Sequence, residues 1–279
     1  MRRLLPVTLA VLAVVVALSV PARAANVALF FNAAFVDTAT DGSGEAYNLQ
    51  QGLIAQGHTV TTFTGITKAD FDAVLSTNSI LVIPELQNGN LSPALSQDAA
   101  LRIAVFVNNG GTLMMFDPGD GDPLAVLNKA FGFELTSAGG AVGTIAKTPA
   151  AVGTPFESGP ATLPINLNAT DTILASSLPT NGSFPVSSSI IYADDNGNAV
   201  VAMITVGGGH IVVLGWDWFD AQPVGTQDGG WLSVLDIAGN DVTGATPVPT
   251  LSEWAMIAMV ALLMVTGGLA LRRRRVAAA

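Results

Sequence analysis

From residue 25 onward, short apolar runs alternate with stretches whose apolar positions recur every three or four residues. Val27-Ala-Leu-Phe-Phe31 reads as a buried strand. Residues 44–57 read as a helix, with Ala46, Leu49, Leu53 and Ile54 on one face and Gly57 as its stop. Thr59 to Phe63 is a β-branched strand, and Thr67-Lys-Ala-Asp70 opens a short helix through Leu75 with a capping-box-like turn. Ile80 to Ile83 is a third strand, and Ser92 to Asn108 a helix closed by Asn109-Gly110-Gly111. Thr112 to Phe116 is a fourth strand, and Asp122 to Phe131 a further helix. Four strand–helix units in succession predict a mainly parallel sheet with helices on both faces. Right-handed crossovers make it a doubly wound α/β domain.

The pattern then changes. Residues 136–188 are rich in Gly, Ala, Thr, Ser and Pro, with only Lys147, Glu157 and Asp171 charged. They read as a β-rich insertion of short pieces and loops across the strand tips. Ser189 to Tyr192 and Ala199 to Val206 flank Asp194-Asp-Asn-Gly197, a turn that predicts a β-hairpin. Gly207-Gly-Gly-His210 leads into the strand Ile211–Leu214, and Gly230 to Ile237 closes the domain as a helix. Ligands of doubly wound sheets sit at the carboxyl ends of strands. Those ends are Asn32-Ala-Ala, Glu85-Leu-Gln-Asn and Asp117-Pro-Gly-Asp-Gly-Asp122.

Both termini are apolar in a different manner. Met1-Arg-Arg, an apolar run from Leu4 to Val20 and Pro21-Ala-Arg-Ala24 form a signal peptide, residues 1–24, with cleavage expected after Ala24. Residues 25–239 are then the exported domain, and 240–247 a linker of turn-forming residues. Beyond it, Ala255 to Leu271 carries no charge. Seventeen helical residues span about 26 Å, enough for a thin bilayer. Trp254 suits the interface, and Arg272, Arg273, Arg274 and Arg275 stay cytoplasmic. The expectation is a transmembrane helix over 255–271 that holds the domain in the periplasm.

Charge narrows the function classes. Half of the 279 residues are hydrophobic and 11% are charged. Seven of the eleven basic residues lie in the two ends. Residues 25–271 keep only Lys68, Arg102, Lys129 and Lys147 against all 21 acids, a net charge of −17. Such a surface repels phosphate backbones, so nucleic acid is excluded as a partner. With no cysteine, the chain has no disulfide, no thiolate metal site and no cysteine nucleophile.

The segment Val248-Pro249-Thr250-Leu251-Ser252-Glu253-Trp254, its apolar helix and its arginine run resemble the IPTL-CTERM sorting signal, a relative of the PEP-CTERM signals. Val248 stands where that family usually has Ile, and Ala255 where Gly commonly follows the Trp. The resemblance covers residues 248–275. It implies two processing partners, signal peptidase and an exosortase-type transpeptidase. It also implies inner-membrane anchorage before processing and then release to the cell surface or medium, in an exopolysaccharide setting.

The order of elements over residues 26–238 resembles the class I glutamine amidotransferase-like, flavodoxin-like fold. The resemblance rests on Gly57-His58-Thr-Val, on Asn109-Gly-Gly-Thr-Leu-Met-Met-Phe116 and on Gly207-Gly-Gly-His-Ile-Val-Val-Leu-Gly-Trp-Asp-Trp-Phe-Asp220. Enzymes of that fold use a cysteine on a strand-to-helix elbow, activated by histidine. Here the elbow is Phe116-Asp117-Pro118-Gly119-Asp120, without Ser, Cys or Thr. His58 opens a strand, and His210 enters its strand at the amino end, so both read as structural.

Two candidate features are left. Asp117, Asp120 and Asp122 crowd one glycine-containing loop, the spacing of a Ca²⁺ site or of a solvated turn with Asp122 capping the next helix. Asp217, Asp220 and Asp228 could join the same face. Trp216, Trp218 and Trp231, with Phe219, fit a platform for a glycan ring or the junction between the last strand and last helix. The expected protein is a non-catalytic binding or structural module without a cofactor, with Ca²⁺ the one candidate ion. The alternative is a divergent carboxylate-based hydrolase of envelope glycans using Asp117, Asp217 or Asp220. Calcium-dependent matrix assembly is a third reading.

Overall fold

Each apolar run has to face two helical layers at once, and the strands show it residue by residue. The computed structural model describes residues 24–119, 121–165, 170–218 and 229–240. The signal peptide short of Ala24, the linker beyond Asn240, the sorting segment and the expected 255–271 helix lie outside the described residues. Among the described residues no helix is long and apolar enough to cross a membrane. The chain falls into two units, 1–243 and 244–279, and all the described residues belong to the first.

Strands β1 (Asn26–Phe30), β2 (Thr59–Phe63), β3 (Ile80–Ile83), β4 (Thr112–Phe116) and β11 (Gly209–Leu214) run parallel. Alternate side chains enter opposite layers. Ala28, Phe30, Leu81, Ile83, Leu113, Met115, Ile211 and Val213 meet helices α2 (Lys68–Leu75), α4 (Gln97–Asn108) and α5 (Asp122–Phe131) through Phe71, Ile103, Val107, Leu124 and Leu127. Val27, Leu29, Ile80, Val82, Met114, Phe116, Val212 and Leu214 meet α1 (Glu45–Ala55) and α6 (Trp231–Asn240) through Leu49, Leu53, Trp231, Val234 and Leu235. Helices therefore cover both faces of an α/β sheet.

The sheet order is β2-β1-β3-β4-β11-β10-β9-β6-β7. From β11 onward every pairing is antiparallel, through β10 (Ala199–Val206), β9 (Val186–Ala193), β6 (Ile145–Lys147) and β7 (Thr162–Leu163). The sheet is thus mixed, where the helical alternation of the first half predicts a mainly parallel one. Antiparallel neighbours need only a tight turn, and the second half supplies turns instead of crossover helices. The Asn-Gly hairpin forms as expected: Asp194 Oδ1 accepts from the backbone N–H of Asn196 and Asn198, and Gly197 takes φ 79°. Residues 136–188 divide between two places. β6 and β7 extend the far edge, whereas β5 (Ser137–Gly140) pairs with β8 (Asp171–Ile173), whose first residue lies at the tip of β11, Asp171 N–H donating to Gly215 O at 2.7 Å.

Two local details are set by single side chains. Thr67 and Asp70 form the full capping box expected at α2. The helix read over 92–108 is broken into α3 (Leu91–Ala94) and α4, because Leu95 is extended and Ser96 Oγ accepts from Ala99 N–H as a new N-cap. The chain leaves β1 for β2 on one side and then places β3 on the other. The switch point therefore opens between the carboxyl ends of β1 and β3.

Candidate functional site

Four acidic side chains gather beside that switch point, one from the start of helix α1 and three from beyond the ends of β3, β4 and β11. Glu45 opens α1, after the loop that follows β1. It sits one and two turns before Leu49 and Leu53, on the helix face that packs on the sheet, so its carboxyl group is carried inward to 0% exposure. Glu85 lies two residues past β3, Asp117 directly past β4 and Asp217 three residues past β11. One carboxyl oxygen each from Glu45, Glu85 and Asp217 lie within 4.8 Å of one another. Asp117 and Asp217 are buried and Glu85 is half-buried. Asp117 has φ 37°, the sole positive φ outside glycine among the described residues. A side chain held there marks a tight elbow.

Charge cannot be dispersed in this place. Burial, then the neighbouring Asp217 and Asp37, push Glu45 up to about 8. Backbone N–H groups of Glu45 and Asp37 pull the other way, yet no hydrogen bond of normal geometry reaches either Glu45 oxygen. Burial and the charges of Asp117, Asp217 and Glu45 push Glu85 up to about 10, with a hydrogen bond to Asp217. Asp117 rises to about 8 through burial and then Asp171, to which it is hydrogen-bonded. A bond between two carboxyl groups requires one of them to carry a proton. None of the domain's four basic residues supplies the missing positive charge. Lys68 and Arg102 pair with Asp72, Lys129 donates to Ser92 O and Leu95 O, and Lys147 to Glu157 O and Gly159 O.

Asn48 and Gly119 position the groups. Asn48, 1% exposed and one turn past Glu45, donates from Nδ2 to Gly42 O and Trp218 O, both at 2.8 Å. It ties the loop carrying Asp217 to the helix carrying Glu45. Asn48→Ala leaves two carbonyls short of a donor and is expected to lower stability by about 1–3 kcal/mol in urea unfolding. Gly119 donates to Asp117 Oδ1 at 3.0 Å, and a Cβ there would stand 2.6 Å from Asp171 Oδ2, so a larger residue would push the Asp171 carboxyl group aside.

Of the residues singled out from sequence, Asp117 and Asp217 join this centre. Asp122 instead occupies the first turn of α5 and accepts from Asn90 Nδ2. Asp120, Asp220 and Asp228 lie outside the described residues, and so does Phe219. Trp216, Trp218 and Trp231 are core: Trp216 and Trp231 rings pack at 5.1 Å, and Trp218 meets Phe116 edge-on. Their buried rings offer no face to a sugar. His58 Nδ1 accepts from Ala25 N–H, and His210, beside Thr205 Oγ1, sits at the amino end of β11 opposite Thr112. Burial lowers the pKa of both. The sequence pattern does not single out Glu45, Glu85, Asn48 or Asp171 as site residues. The available signal is an acid in phase with Leu49 and Leu53, and another at a recognised strand end.

The family profile described as "Domain of unknown function (DUF4350)" matches residues 37–219. The IPTL-CTERM motif matches residues 246–275, the mark of a secreted, surface-sorted protein processed by an exosortase-type system. No curated protein matches the chain significantly. Among solved structures, a cytoplasmic protein of Salmonella typhimurium LT2 is similar with TM-score 0.50 and 15% identity, over 78% of this chain and 99% of that one. A second cytoplasmic protein of Salmonella typhimurium has TM-score 0.50 and 14% identity, over 78% and 97%. An exo-beta-1,4-mannosidase from Opitutaceae bacterium strain TAV5 has TM-score 0.44 and 16% identity, over 76% of this chain and 33% of the mannosidase, so the chain spans about a third of that enzyme. At such identities the likeness shows the fold alone.

Proposed function

Given that the chain belongs to the DUF4350 family, we propose that it is a surface-sorted, non-catalytic module that takes its ligand at the acidic centre on the strand tips. The reading includes an envelope setting rich in exopolysaccharide and a scaffold of amidotransferase-like descent. The observation that carries it is the convergence of Glu45, from the start of α1, with Glu85, Asp117 and Asp217 from beyond three strand ends. Neutral and ionised carboxyl groups side by side donate to and accept from hydroxyls, which suits a polyhydroxylated glycan chain. The half-buried Glu85 is the member open to such a ligand. The chain has two histidines, both placed away from the centre, so general-base chemistry would fall to a carboxyl group.

One observation favours a second reading, a carboxylate-based hydrolase of envelope glycans. Asp117 occupies the positive-φ elbow directly after the central strand β4, close to Glu85 and Asp171. One experiment separates the two. The full chain in nonionic micelles is applied to a bacterial-glycan array, and bound glycans are then assayed for reducing-end release. Retention without release is the expected result. Release that disappears in Asp117→Asn would replace the first reading with the second.

A further inference from the structure

We infer that Glu45, Glu85 and Asp217 form the site of one hard divalent cation, with Asp117 as the adjoining acid. The inference stands whether or not a glycan is bound. Its first support is the Glu45 carboxyl group, wholly buried and aimed at the other two, with both oxygens unpartnered. One oxygen of Glu85 is likewise buried without a partner. Leaving buried acceptors unmade is costly, and a helix position facing the sheet would ordinarily be filled by an apolar residue. A glutamate kept there calls for a positive partner.

The second support is that no basic side chain among the described residues stands at the centre. Lys68, Arg102, Lys129 and Lys147 are each bonded elsewhere, and both histidines are distant. The third is spacing. Ca²⁺ holds oxygens at about 2.3–2.6 Å, so ligands on opposite sides of the ion stand roughly 4.6–5.2 Å apart, and neighbouring ligands closer. A set whose members all lie within 4.8 Å of one another is within the separations that such an ion's ligands take. Mg²⁺, at about 2.0–2.1 Å, would need the set to contract. Donors that are all carboxyl oxygen select Ca²⁺, Mg²⁺ or Mn²⁺ over softer metals. The loop aspartate Asp122 takes no part, since it accepts from Asn90 at the start of α5; the site is assembled across the sheet by strand order.

The test uses the full chain in nonionic micelles, stripped with EDTA and dialysed, at pH 7.5. Calorimetric titration with CaCl₂ should show one saturable site per chain. Ca²⁺ at about a hundred times its Kd should raise Tm by about 5–10 °C. Glu45→Gln and Asp217→Asn preserve shape and should each weaken Ca²⁺ binding at least tenfold. Glu85→Gln, at the half-buried position, provides the same readout should either buried variant fail to fold. The inference is overturned by a wild-type chain that gives neither heat nor Tm shift with Ca²⁺, Mg²⁺ or Mn²⁺ up to about 10 mM. It is equally overturned by a Ca²⁺ response kept in full by every folded variant, the behaviour of counter-ions on an acidic surface.

Discussion

In protein freed of divalent cations, the free energy of unfolding falls as pH is raised from 5 to 9. Glu45, Glu85 and Asp117 release their protons near 8, 10 and 8 in the folded chain and near the ordinary carboxyl range when unfolded. Across that interval the folded state holds protons that the unfolded state has lost. The stabilisation is complete below about pH 4 and disappears as pH climbs through 8 and, for Glu85, 10. Each group contributes a slope of about 1.4 kcal/mol per pH unit within its window. Asp41, Asp70 and Asp72 have the opposite sign, held low by hydrogen bonds from Ser43, Thr67 and Lys68 respectively, but all are at the surface and add little. Urea unfolding in chelator at pH 5, 7 and 9 measures the slope. A profile flat or rising between pH 6 and 8 would show that the carboxyl groups are solvated. Saturating Ca²⁺ should flatten the decline, since the ion replaces the protons.

Trp218→Ala is expected to cost about 3–5 kcal/mol, at the upper end of what a single truncation does to a packed core. The indole is 0% exposed, meets the Phe116 ring edge-on at a centroid distance of 6.3 Å and lies over Gly52 of α1. Alanine leaves a void that helix α1 and β4 are too firmly packed to close. The backbone carbonyl of residue 218, held by Asn48, is kept in the variant, so the loss measures the indole itself. Trp218→Phe, which refills most of the volume, should recover more than half of the loss. Chemical denaturation of the three proteins decides the point, and a loss under about 1 kcal/mol for alanine would mean the ring is not core.

These two predictions fall on residues of unequal legibility. The alternation of Val27–Phe30, Ile80–Ile83 and Thr112–Phe116 reads directly as strands because both faces of a central strand are apolar. Asp117 and Asp217 stand out because they follow such strands. Glu45 does not, because helical periodicity is scored on apolar residues. The pattern puts Ile54 on the inner face, where it is 47% exposed, and passes over Glu45, which is buried. A carboxyl group inside a helix–sheet interface is legible only once its partners are known. Those partners come from strands brought together by the order β1-β3-β4-β11, which no local pattern records. Beyond the Asn-Gly hairpin the antiparallel half is hidden for a related reason: the pieces at 145–147, 162–163 and 171–173 are too short for periodicity to show.

β11 stands between β4 and β10, at the middle of the sheet, though it is the last strand in chain order among the described residues. Until residues 209–214 emerge, the parallel strands and the hairpins that precede them have raw facing edges and no way to join. Joining the two halves of the sheet therefore waits for a strand from the final quarter of the chain. A chain cut short anywhere before Gly209 keeps the unjoined edges of β4 and β10 instead of forming a smaller working domain.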